Sequence, residues 1–530
     1  MAGPITNGAK PDHLIIGIDA GTSVIKAVAF DLAGRQIDSA STQNSYRSES
    51  SGAVTQSLLR TWEDCAATIR ALGAKLPNLA KRTVSISVTA QGDGTWLVGK
   101  DNEPVSDAWL WLDARAAPTV ERLASEPLNR ARFEATGTGL NTCQQGSQLA
   151  HMDRHYPGLL NNAEVVLHCK DWIYLNLTGI RATDPSEASF TFGNFRNRKY
   201  DDMVIEALGL QRRRNLLPEI IDGTKTQNAL TAQAAKETGL LAGTPVSLGY
   251  VDMAMTALGA GVHTGDPDAA CSVIGSTGVH MRAVAPADVH LNQDGTGYVI
   301  ALPVPDIVTQ VQTNMAATLN LDWVLGLAGE VLHDFGHKSD HAALIKRVDE
   351  WLAAAKPGRL LYHPYISEAG ERGPFVDANA RADFIGLASH TRYADLIHAV
   401  VEGLALAMRD CYALMGPMPN ELRVTGGAAR SAALRKMLAA AVNAPIRVSS
   451  REEAGAAGTA MMAAVAIGAF SSMDQCIATW VKPLLGRAEL PDKTMAARFA
   501  ELLPIYQQAR QSLKPIWRDL ASIPLTPSVS

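Results

Sequence analysis

Two distant segments of this 530-residue chain follow the same pattern. "HLIIGIDAGTSVIKAVAF" (13–30) and "DAACSVIGSTGVHMRAV" (268–284) each join two apolar runs through a turn of glycine and hydroxyl residues. Such a pattern predicts a strand, a tight turn and a second strand. A chain of 530 residues is too long for a single hydrophobic core, so two or more domains are expected. The repeat predicts that these are copies of one α/β domain with a cleft between them. We place the boundary near Gly261, which divides the chain into domains 1–261 and 262–530.

The intervening segments fit an α/β organisation. "SVIKAVAFDLAGRQI" (23–37) predicts a second strand, a turn and a third strand, so the chain opens with a β-meander. "TRYADLIHAVVEGLALAMRDCYALM" (391–415) has the spacing of a long amphipathic helix. "ELRVTGGAARSAALRKMLAAAV" (421–442) predicts a strand, a Gly-Gly turn and a helix.

Composition excludes several classes of protein. A net charge of −5 argues against a nucleic-acid partner or a polybasic membrane surface. The six cysteines are scattered without a CxxC pair, so we interpret them as free thiols of a cytoplasmic protein. The first residues lack the pattern of a signal peptide, and the most apolar run, 458–470, is too short to cross a bilayer.

Three glycine turns follow apolar runs and carry hydroxyl residues: "DAGTS" (19–23), "GSTG" (275–278) and "TGGAA" (425–429). Glycine lets a backbone approach a ligand closely, and successive exposed N–H groups form a nest for anions. Any single one of them is equally well an ordinary turn. Three on two similar halves favour phosphate binding, although neither a Walker-type nor a GxGxxG motif is present.

Two acidic residues stand out beside these turns. Asp19 ends the first apolar run, where a carboxylate can hold Mg²⁺ through water or simply cap its own turn. Lys26, a few residues later, faces either a transferred phosphate or solvent. Asp252 is the one charge in "SLGYVDMAMTALGAG" (247–261), and burying a lone carboxylate is costly unless it is compensated.

Several longer segments together resemble the FGGY carbohydrate kinases. They include "GIDAGTSVIKAVAFD", "WLWLDARA", "GYVDMAMTALGAG", "IGSTGVHM", "PYISEAGERGPFVDANARADFIGL" and "RVTGGAARSAALRKMLAAAVNAPI", and the resemblance runs in order from about Ile15 to Phe470. It implies two ribonuclease-H-like domains of the actin/Hsp70/sugar kinase superfamily around an interdomain cleft. It also implies ATP, accompanied by Mg²⁺, as phosphoryl donor.

The resemblance assigns roles to residues. Asp252 matches the family's general base on the acceptor hydroxyl, although an Asp there can also cap the following helix. Asp19 matches the carboxylate on the magnesium side. Glu453 falls at the start of a C-terminal helix, where it is either structural or at the edge of the nucleotide pocket. The implied ATP-binding residues are Gly21, Thr22, Ser23, Lys26, Gly275, Ser276, Thr277, Gly426, Gly427, Ala428 and Ser431, with Arg430 nearby.

The acceptor pocket is implied beside "SVTAQGDGTWL" (87–97) and "WLWLDARA" (109–116). Its expected residues are Gln91, Asp93, Trp111, Gln144, Gln145 and Asp252. Asp93 resembles the glutamate with which glycerol kinases hold hydroxyls, whereas Gly92 and Met253 depart from that pattern. A carboxylate accepts hydrogen bonds from two neighbouring hydroxyls, which suits an open-chain polyol. "GDG" is equally a strong turn signal, so Asp93 alternatively only shapes a loop.

Other conspicuous residues of this region have structural interpretations. Trp96, Trp109 and Trp111 either form an apolar wall against the C–H faces of a sugar or lie in the core, which is the commoner case for tryptophan. We also expect an ion pair between Asp113 and Arg115 and a folding role for "DPSEAS" (184–189).

The resemblance therefore implies an ATP-dependent kinase acting on a terminal hydroxyl of a small polyol. Within the family, the two pocket segments are most similar to members that act on erythritol. A kinase of a ketopentose such as xylulose or ribulose is the alternative, and a non-catalytic, actin-like sugar sensor is a third. Homodimers are common in the family.

Overall fold

A computed structural model of the protein describes residues 12–265, 269–337, 340–355 and 360–523. The strands of the N-terminal half are β1 (Leu14–Ala20), β2 (Val24–Asp31), β3 (Gln36–Gln43), β4 (Arg47–Ser48), β5 (Val54–Gln56), β6 (Thr83–Ala90), β7 (Trp96–Val98), β8 (Ala108–Trp109), β9 (Val165–Leu167), β10 (Ala182–Thr183), β11 (Gly193–Asn194), β12 (Lys199–Tyr200), β13 (Glu219–Ile220), β14 (Gln227–Ala229) and β15 (Pro245–Leu248). Its helices are α1 (Leu58–Lys75), α2 (Leu79–Arg82), α3 (Ala117–Ala124), α4 (Asn129–Thr136), α5 (Gln145–His155), α6 (Pro157–Asn161), α7 (Cys169–Thr178), α8 (Pro185–Phe192), α9 (Asp202–Ala207), α10 (Ala232–Thr238) and α11 (Asp252–Ala260).

The C-terminal half has fewer and longer elements. Its strands are β16 (Ala269–Ile274), β17 (Gly278–Val284), β18 (Tyr298–Ala301), β19 (Val308–Asn314), β20 (Leu361–His363), β21 (Asp383–Ile385), β22 (Glu421–Thr425) and β23 (Ile446–Val448). Its helices are α12 (Thr318–Asp334), α13 (His341–Ile345), α14 (Val348–Ala354), α15 (Tyr393–Ala413), α16 (Ala432–Val442), α17 (Ala454–Ala466), α18 (Met473–Trp480) and α19 (Lys493–Ala521).

The two halves contain the same central sheet. In the first, the order is β14-β15-β6-β1-β2-β3; in the second, it is β18-β19-β17-β16-β22-β23. The pairs β1–β2 and β16–β17 are antiparallel, whereas β1–β6 and β16–β22 are parallel. The strand orders β3-β2-β1-β6-β15 and β19-β17-β16-β22-β23 therefore correspond one to one. This confirms the predicted duplication and the opening meander.

The apolar runs predicted from the sequence form the sheet cores. The side chains of Leu14, Ile16 and Ile18 on β1 are buried in one apolar cluster with residues of α1, as expected for a central strand. In the second half, α15 and α16 cover one face of the sheet, so the predicted long amphipathic helix is also confirmed.

The halves meet where α11 crosses α17. Glycines make this crossing close: a Cβ atom at Gly259 would lie 2.1 Å from the carbonyl oxygen of Ala454, and one at Gly458 would lie 2.1 Å from that of Met255. One apolar cluster, which includes Val251, Ala254, Ala456 and Ala460, is shared by both halves. The two sheets are thereby held with their loop-bearing edges facing a common space.

Several smaller predictions can be compared with the structure. All six cysteines are free and buried. Within the described residues, no helix has the length and apolar character needed to span a membrane. Gly261 has a left-handed backbone and ends α11. The domain boundary there stays a prediction.

Candidate active site

Three carboxylates come together because three neighbouring parallel strands of the first sheet end at one edge. Asp19 lies near the end of β1, Asp93 follows β6, and Asp252 follows β15. The second sheet presents its own edge, where Gly275–Thr277 follow β16 and Gly426–Ala428 follow β22. Loops at the carboxyl ends of parallel strands are a common place for ligand binding.

A cavity of about 270 Å³ lies where these two edges meet. Both halves of the chain line it, with Thr22, Gln91, Gly92, Asp93, Trp111, Cys143, Asp252 and Met253 from the first and Thr277, Val279, Tyr298, Thr313, Asn314, Met315 and Arg372 from the second. Its lining combines two carboxylates, one guanidinium and several apolar side chains, a mixture suited to a small polar molecule.

Asp252 is the first residue of α11, and Val251 occupies the N-cap position. Its Oδ1 accepts a hydrogen bond of 2.7 Å from the backbone N–H of Met253. Burial raises the pKa of Asp252 to about 7, and the charge of Asp19 adds to this shift. Asp252 therefore begins the helix and also presents a carboxylate that exchanges a proton near neutral pH.

Asp19 faces a different set of neighbours. Burial raises the pKa of Asp19 to about 6; the positive charge of Lys26 opposes the shift and the negative charge of Glu453 adds to it. Lys26 Nζ lies 2.7 Å from Glu453 Oε2, so this lysine joins the two halves through an ion pair. A Cβ atom at Gly455 would lie 2.3 Å from Asp19 Oδ2, which shows how closely α17 approaches this carboxylate.

Asp93 forms a turn and also lines the cavity. Its φ of 55° is left-handed, so it forms part of a tight turn with Gly94. It is also buried, and its Oδ1 has no hydrogen-bond partner among the described residues. Burial raises the pKa of Asp93, and the thiol of Cys143, the charges of His168 and Arg372 and the hydroxyl of Tyr298 oppose the shift.

The neighbouring Gly92 allows the chain to pass Val251. A Cβ atom there would lie 2.4 Å from Val251 Cγ2, so the turn depends on the absence of a side chain.

Thr22 is hydrogen-bonded to two other residues that line the cavity. Its hydroxyl donates to Gln91 Oε1 over 2.8 Å and accepts from the indole N–H of Trp111, also over 2.8 Å. The hydroxyl predicted for phosphate is thus engaged with two residues predicted for the acceptor. Ser23, next along the chain, is exposed.

The other two glycine turns are open to solvent. Ser276, Thr277, Gly426 and Gly427 are exposed, and added Cβ atoms at Gly275 and Gly427 would meet nothing within 4 Å. Gly426 has a φ of 93° and packs against the carbonyl of Ile274, so the two turns are adjacent. Such exposed backbone can take a phosphate group.

Some predicted site residues have structural partners. Gln144 Nε2 donates to the carbonyl of Gly139 over 2.8 Å, and Gln145 Nε2 donates to that of Leu167 over 2.8 Å. Ser431 caps α16 by accepting from the N–H of Leu434, and its hydroxyl donates to Asp349. Their ligand-binding roles, like those of the other site residues, stay predictions.

The structural interpretations agree with the structure except for Trp111, which is half-buried and lines the cavity. Trp96 and Trp109 are buried, and Arg115 Nη2 lies 2.6 Å from Asp113 Oδ2. In "DPSEAS", Asp184 caps α8 and its carboxylate lies 2.6 Å from Lys170 Nζ.

Sequence reasoning missed Arg372, Tyr298 and Cys143, all of which line the cavity. Arg372 stands inside the segment "PYISEAGERGPFVDANARADFIGL", so its motif was visible but its proximity to Asp93 was not. Tyr298 and Cys143 have no local signal, since each lies in an ordinary stretch of sequence.

Two family models match the chain. The model described as the N-terminal domain of the FGGY family of carbohydrate kinases matches residues 14–259, and the C-terminal domain model of the same family matches residues 270–467. Together they span most of the described structure.

Two curated relatives illustrate the range of similarity. Erythritol kinase of Brucella abortus is 69% identical over 509 residues, which cover 96% of this chain and 98% of that protein. Xylulose kinase of Staphylococcus epidermidis (strain ATCC 12228 / FDA PCI 1200) is 27% identical over 523 residues, which cover 96% of this chain and 99% of that protein.

Solved structures have the same fold. Gluconate kinase from Lactobacillus acidophilus matches with a TM-score of 0.86 at 21% identity, covering 96% of this chain and 99% of that chain. Xylulose kinase from Rhodospirillum rubrum matches with a TM-score of 0.85 at 23% identity, covering 96% of this chain and 100% of that chain. The predicted fold class, two ribonuclease-H-like domains flanking a cleft, is confirmed.

Proposed function

This chain belongs to the FGGY family of carbohydrate kinases, and from that membership we propose that it transfers the γ-phosphoryl group of ATP to a terminal hydroxyl of erythritol. The 69% identity to the erythritol kinase of Brucella abortus supports this acceptor. The observation that carries the proposal is that Asp252 and the unpaired oxygen of Asp93 line one small cavity between the halves.

We propose that Asp252 is the general base. In its ionised form it accepts the proton of the terminal hydroxyl while that oxygen bonds to the γ-phosphorus. The bond between the γ-phosphorus and the bridging oxygen breaks, and ADP leaves with the electron pair. A carboxyl with a pKa of about 7 suits this task because it can both take and release a proton near neutral pH.

ATP carries its own divalent cation, and Asp19 fits a contact to Mg²⁺ through water. No group of three or more His, Cys, Asp or Glu that could hold a metal occurs among the described residues, so a cation would depend largely on phosphate and water oxygens. The raised pKa of Asp19 reflects a buried carboxylate that a nearby cation would stabilise. Bound there, Mg²⁺ would neutralise phosphate charge.

The cavity is lined by both halves of the chain, which supports a kinase that excludes water from its acceptor. Residues of the second half, such as Tyr298 and Met315, complete the wall of the cavity. Excluding water protects ATP from hydrolysis while the acceptor hydroxyl is held for attack. We further infer a cytoplasmic location, which the six buried free thiols support.

The proposal is tested by measuring ADP release with four- to six-carbon polyols and ketoses, and by the variant Asp252→Asn. Erythritol should give the highest kcat/KM, and Asp252→Asn should lower kcat on the order of 10²- to 10⁴-fold with ATP affinity retained. The exposed Asp519→Asn serves as control. Preference for xylulose or ribulose would overturn the acceptor, and near-normal turnover of Asp252→Asn would overturn the base.

A further inference from the structure

Asp93 presents one satisfied and one unsatisfied carboxylate oxygen. Its Oδ2 accepts a hydrogen bond from the thiol of Cys143 over 3.3 Å. Its Oδ1 is buried without a partner among the described residues, and the residue as a whole is 6% exposed. Leaving a buried carboxylate oxygen unpaired costs free energy, so this atom is placed to accept a hydrogen bond from a ligand.

The groups that hold Asp93 come from both halves of the chain. Cys143 belongs to the first half, and its sulfur lies 3.6 Å from the hydroxyl of Tyr298 on β18 of the second. The chain of contacts Tyr298–Cys143–Asp93 therefore crosses the cleft. Oδ2 is occupied by this contact, whereas Oδ1 has no hydrogen-bond partner among the described residues. The hydroxyl of Tyr298 also acts directly on Asp93 and opposes the rise of its pKa.

Arg372 is the one basic side chain among the described residues that line the cavity. It lies between β20 and β21 of the second half, and its positive charge acts on Asp93. The adjacent Glu371 does not occupy it: Glu371 Oε1 accepts from the backbone N–H groups of Met315 and Arg372, and Glu371 Oε2 has no partner among the described residues. The guanidinium is thus available to a ligand in the cavity.

Building on the proposed function, we propose that Arg372 is an acceptor-binding residue that, together with Asp93, recognises neighbouring hydroxyls of the polyol. Cys143 and Tyr298 are positioning residues that fix the orientation of Asp93. Recognition of the acceptor then requires side chains from both halves, so the acceptor site is complete only when the halves are closed.

The chemistry of a polyol matches this pair. A hydroxyl donates one hydrogen bond and accepts others, an ionised carboxylate only accepts, and a guanidinium only donates. One hydroxyl can therefore donate to Asp93 Oδ1 while it or its neighbour accepts from Arg372. The rigid fork of arginine favours two adjacent oxygens, which an ammonium group would not reproduce.

The test measures KM for erythritol and for ATP in Arg372→Ala and Arg372→Lys. Arg372→Ala should raise KM for erythritol by about 10- to 100-fold, the usual effect of losing a charged hydrogen bond, and should change KM for ATP less than about twofold. Arg372→Lys should recover only part of the loss. Arg381→Ala, an exposed arginine of the same segment, is the matched control.

The outcomes separate this inference from the proposed function. If the wild-type enzyme does not phosphorylate erythritol, the proposed function fails. If it does, and Arg372→Ala leaves KM for erythritol unchanged or raises KM for ATP equally, the role of Arg372 is overturned. Should Arg372→Ala fail to fold, Arg372→Lys decides: an unchanged KM for erythritol would contradict the proposal.

The positioning role of Cys143 is tested by rescue. Cys143→Ala removes the donor to Asp93 and should raise KM for erythritol several-fold, whereas Cys143→Ser keeps a donor and should restore much of the affinity. Tyr298→Phe should raise KM in the same direction. Equal KM values for erythritol in Cys143→Ala and Cys143→Ser would contradict the role. If Cys143 only fills space, the hydroxyl that serine adds should not restore affinity.

Discussion

At the scale of single residues, the site depends on carboxylates that carry charge where charge is unfavourable. Asp19, Asp93 and Asp252 all have raised pKa values, and burial is the largest cause for each. Perturbed carboxyls grouped in a cleft are typical of catalytic sites. Asp252 is also affected by the other two, because the charges of Asp19 and Asp93 add to the shift of its pKa.

The pKa of Asp252 leads to a prediction about pH. A general base works in its ionised form, so kcat/KM should rise with pH through a midpoint near 7 and level off above it. Asp19→Asn removes a neighbouring negative charge and should move this midpoint to lower pH, whatever its effect on the maximal rate. Measured pH–rate profiles of the two proteins decide this. A profile flat between about pH 5 and 9 would exclude Asp252 as the titrating base.

At the scale of elements, the crossing of α11 and α17 determines how the two sheets face each other. Each helix follows the last parallel strand of its sheet, and backbone touches backbone at Gly259 and Gly458. Thr459 on α17 adds a hydrogen bond of 2.6 Å to Ser87 on β6. Small residues are thus required here for packing. Ala and Gly in a helical sequence do not by themselves indicate such a crossing.

This crossing predicts opposite effects for two glycine substitutions. In Gly458→Ala the new Cβ would lie 2.1 Å from the carbonyl oxygen of Met255, and the backbone must shift, which should cost about 1–3 kcal/mol. In Gly326→Ala, within α12, the Cβ meets nothing within 4 Å, and helix propensity should stabilise the protein by up to about 1 kcal/mol. The two variants are compared with wild type by their Tm in thermal unfolding. A Tm for Gly458→Ala at or above that of wild type would contradict the close crossing.

At the scale of the whole molecule, the chain continues beyond the matched family models into α18 and α19. Helix α19 packs on the second half through Phe499, Tyr506 and Trp517, which are buried. Arg510 on the same helix forms an ion pair with the buried Asp410 on α15. The C-terminal helix therefore completes the core of the second half.

A matched pair of substitutions tests this contribution. Tyr506 is fully buried, and its hydroxyl lies 3.2 Å from that of Tyr365, so Tyr506→Ala should cost about 3–5 kcal/mol. Ile505, its neighbour on the helix, is 53% exposed, and Ile505→Ala should change stability by less than about 1 kcal/mol. Denaturant unfolding measures both. Equal effects would contradict a packing role for α19.

Sequence reasoning predicted what depends on neighbours along the chain. Asp252 stood out because a charge in an apolar run is visible locally, and the meander and the long helix α15 follow from period and turn residues. It did not predict the partners of Thr22 and Lys26: Thr22 contacts Gln91 and Trp111, and Lys26 pairs with Glu453. Those contacts join residues far apart in sequence, so no local sequence pattern predicts them.

The sequence by itself determined the duplicated strand–glycine–strand plan and the carboxylates at the strand ends, because apolar periodicity and glycine turns act over short stretches of chain. Only the tertiary structure decided which side chains share the cavity. Arg372 and Tyr298 reach Asp93 because the crossing of α11 and α17 brings one sheet edge against the other. That arrangement depends on packing across the whole molecule.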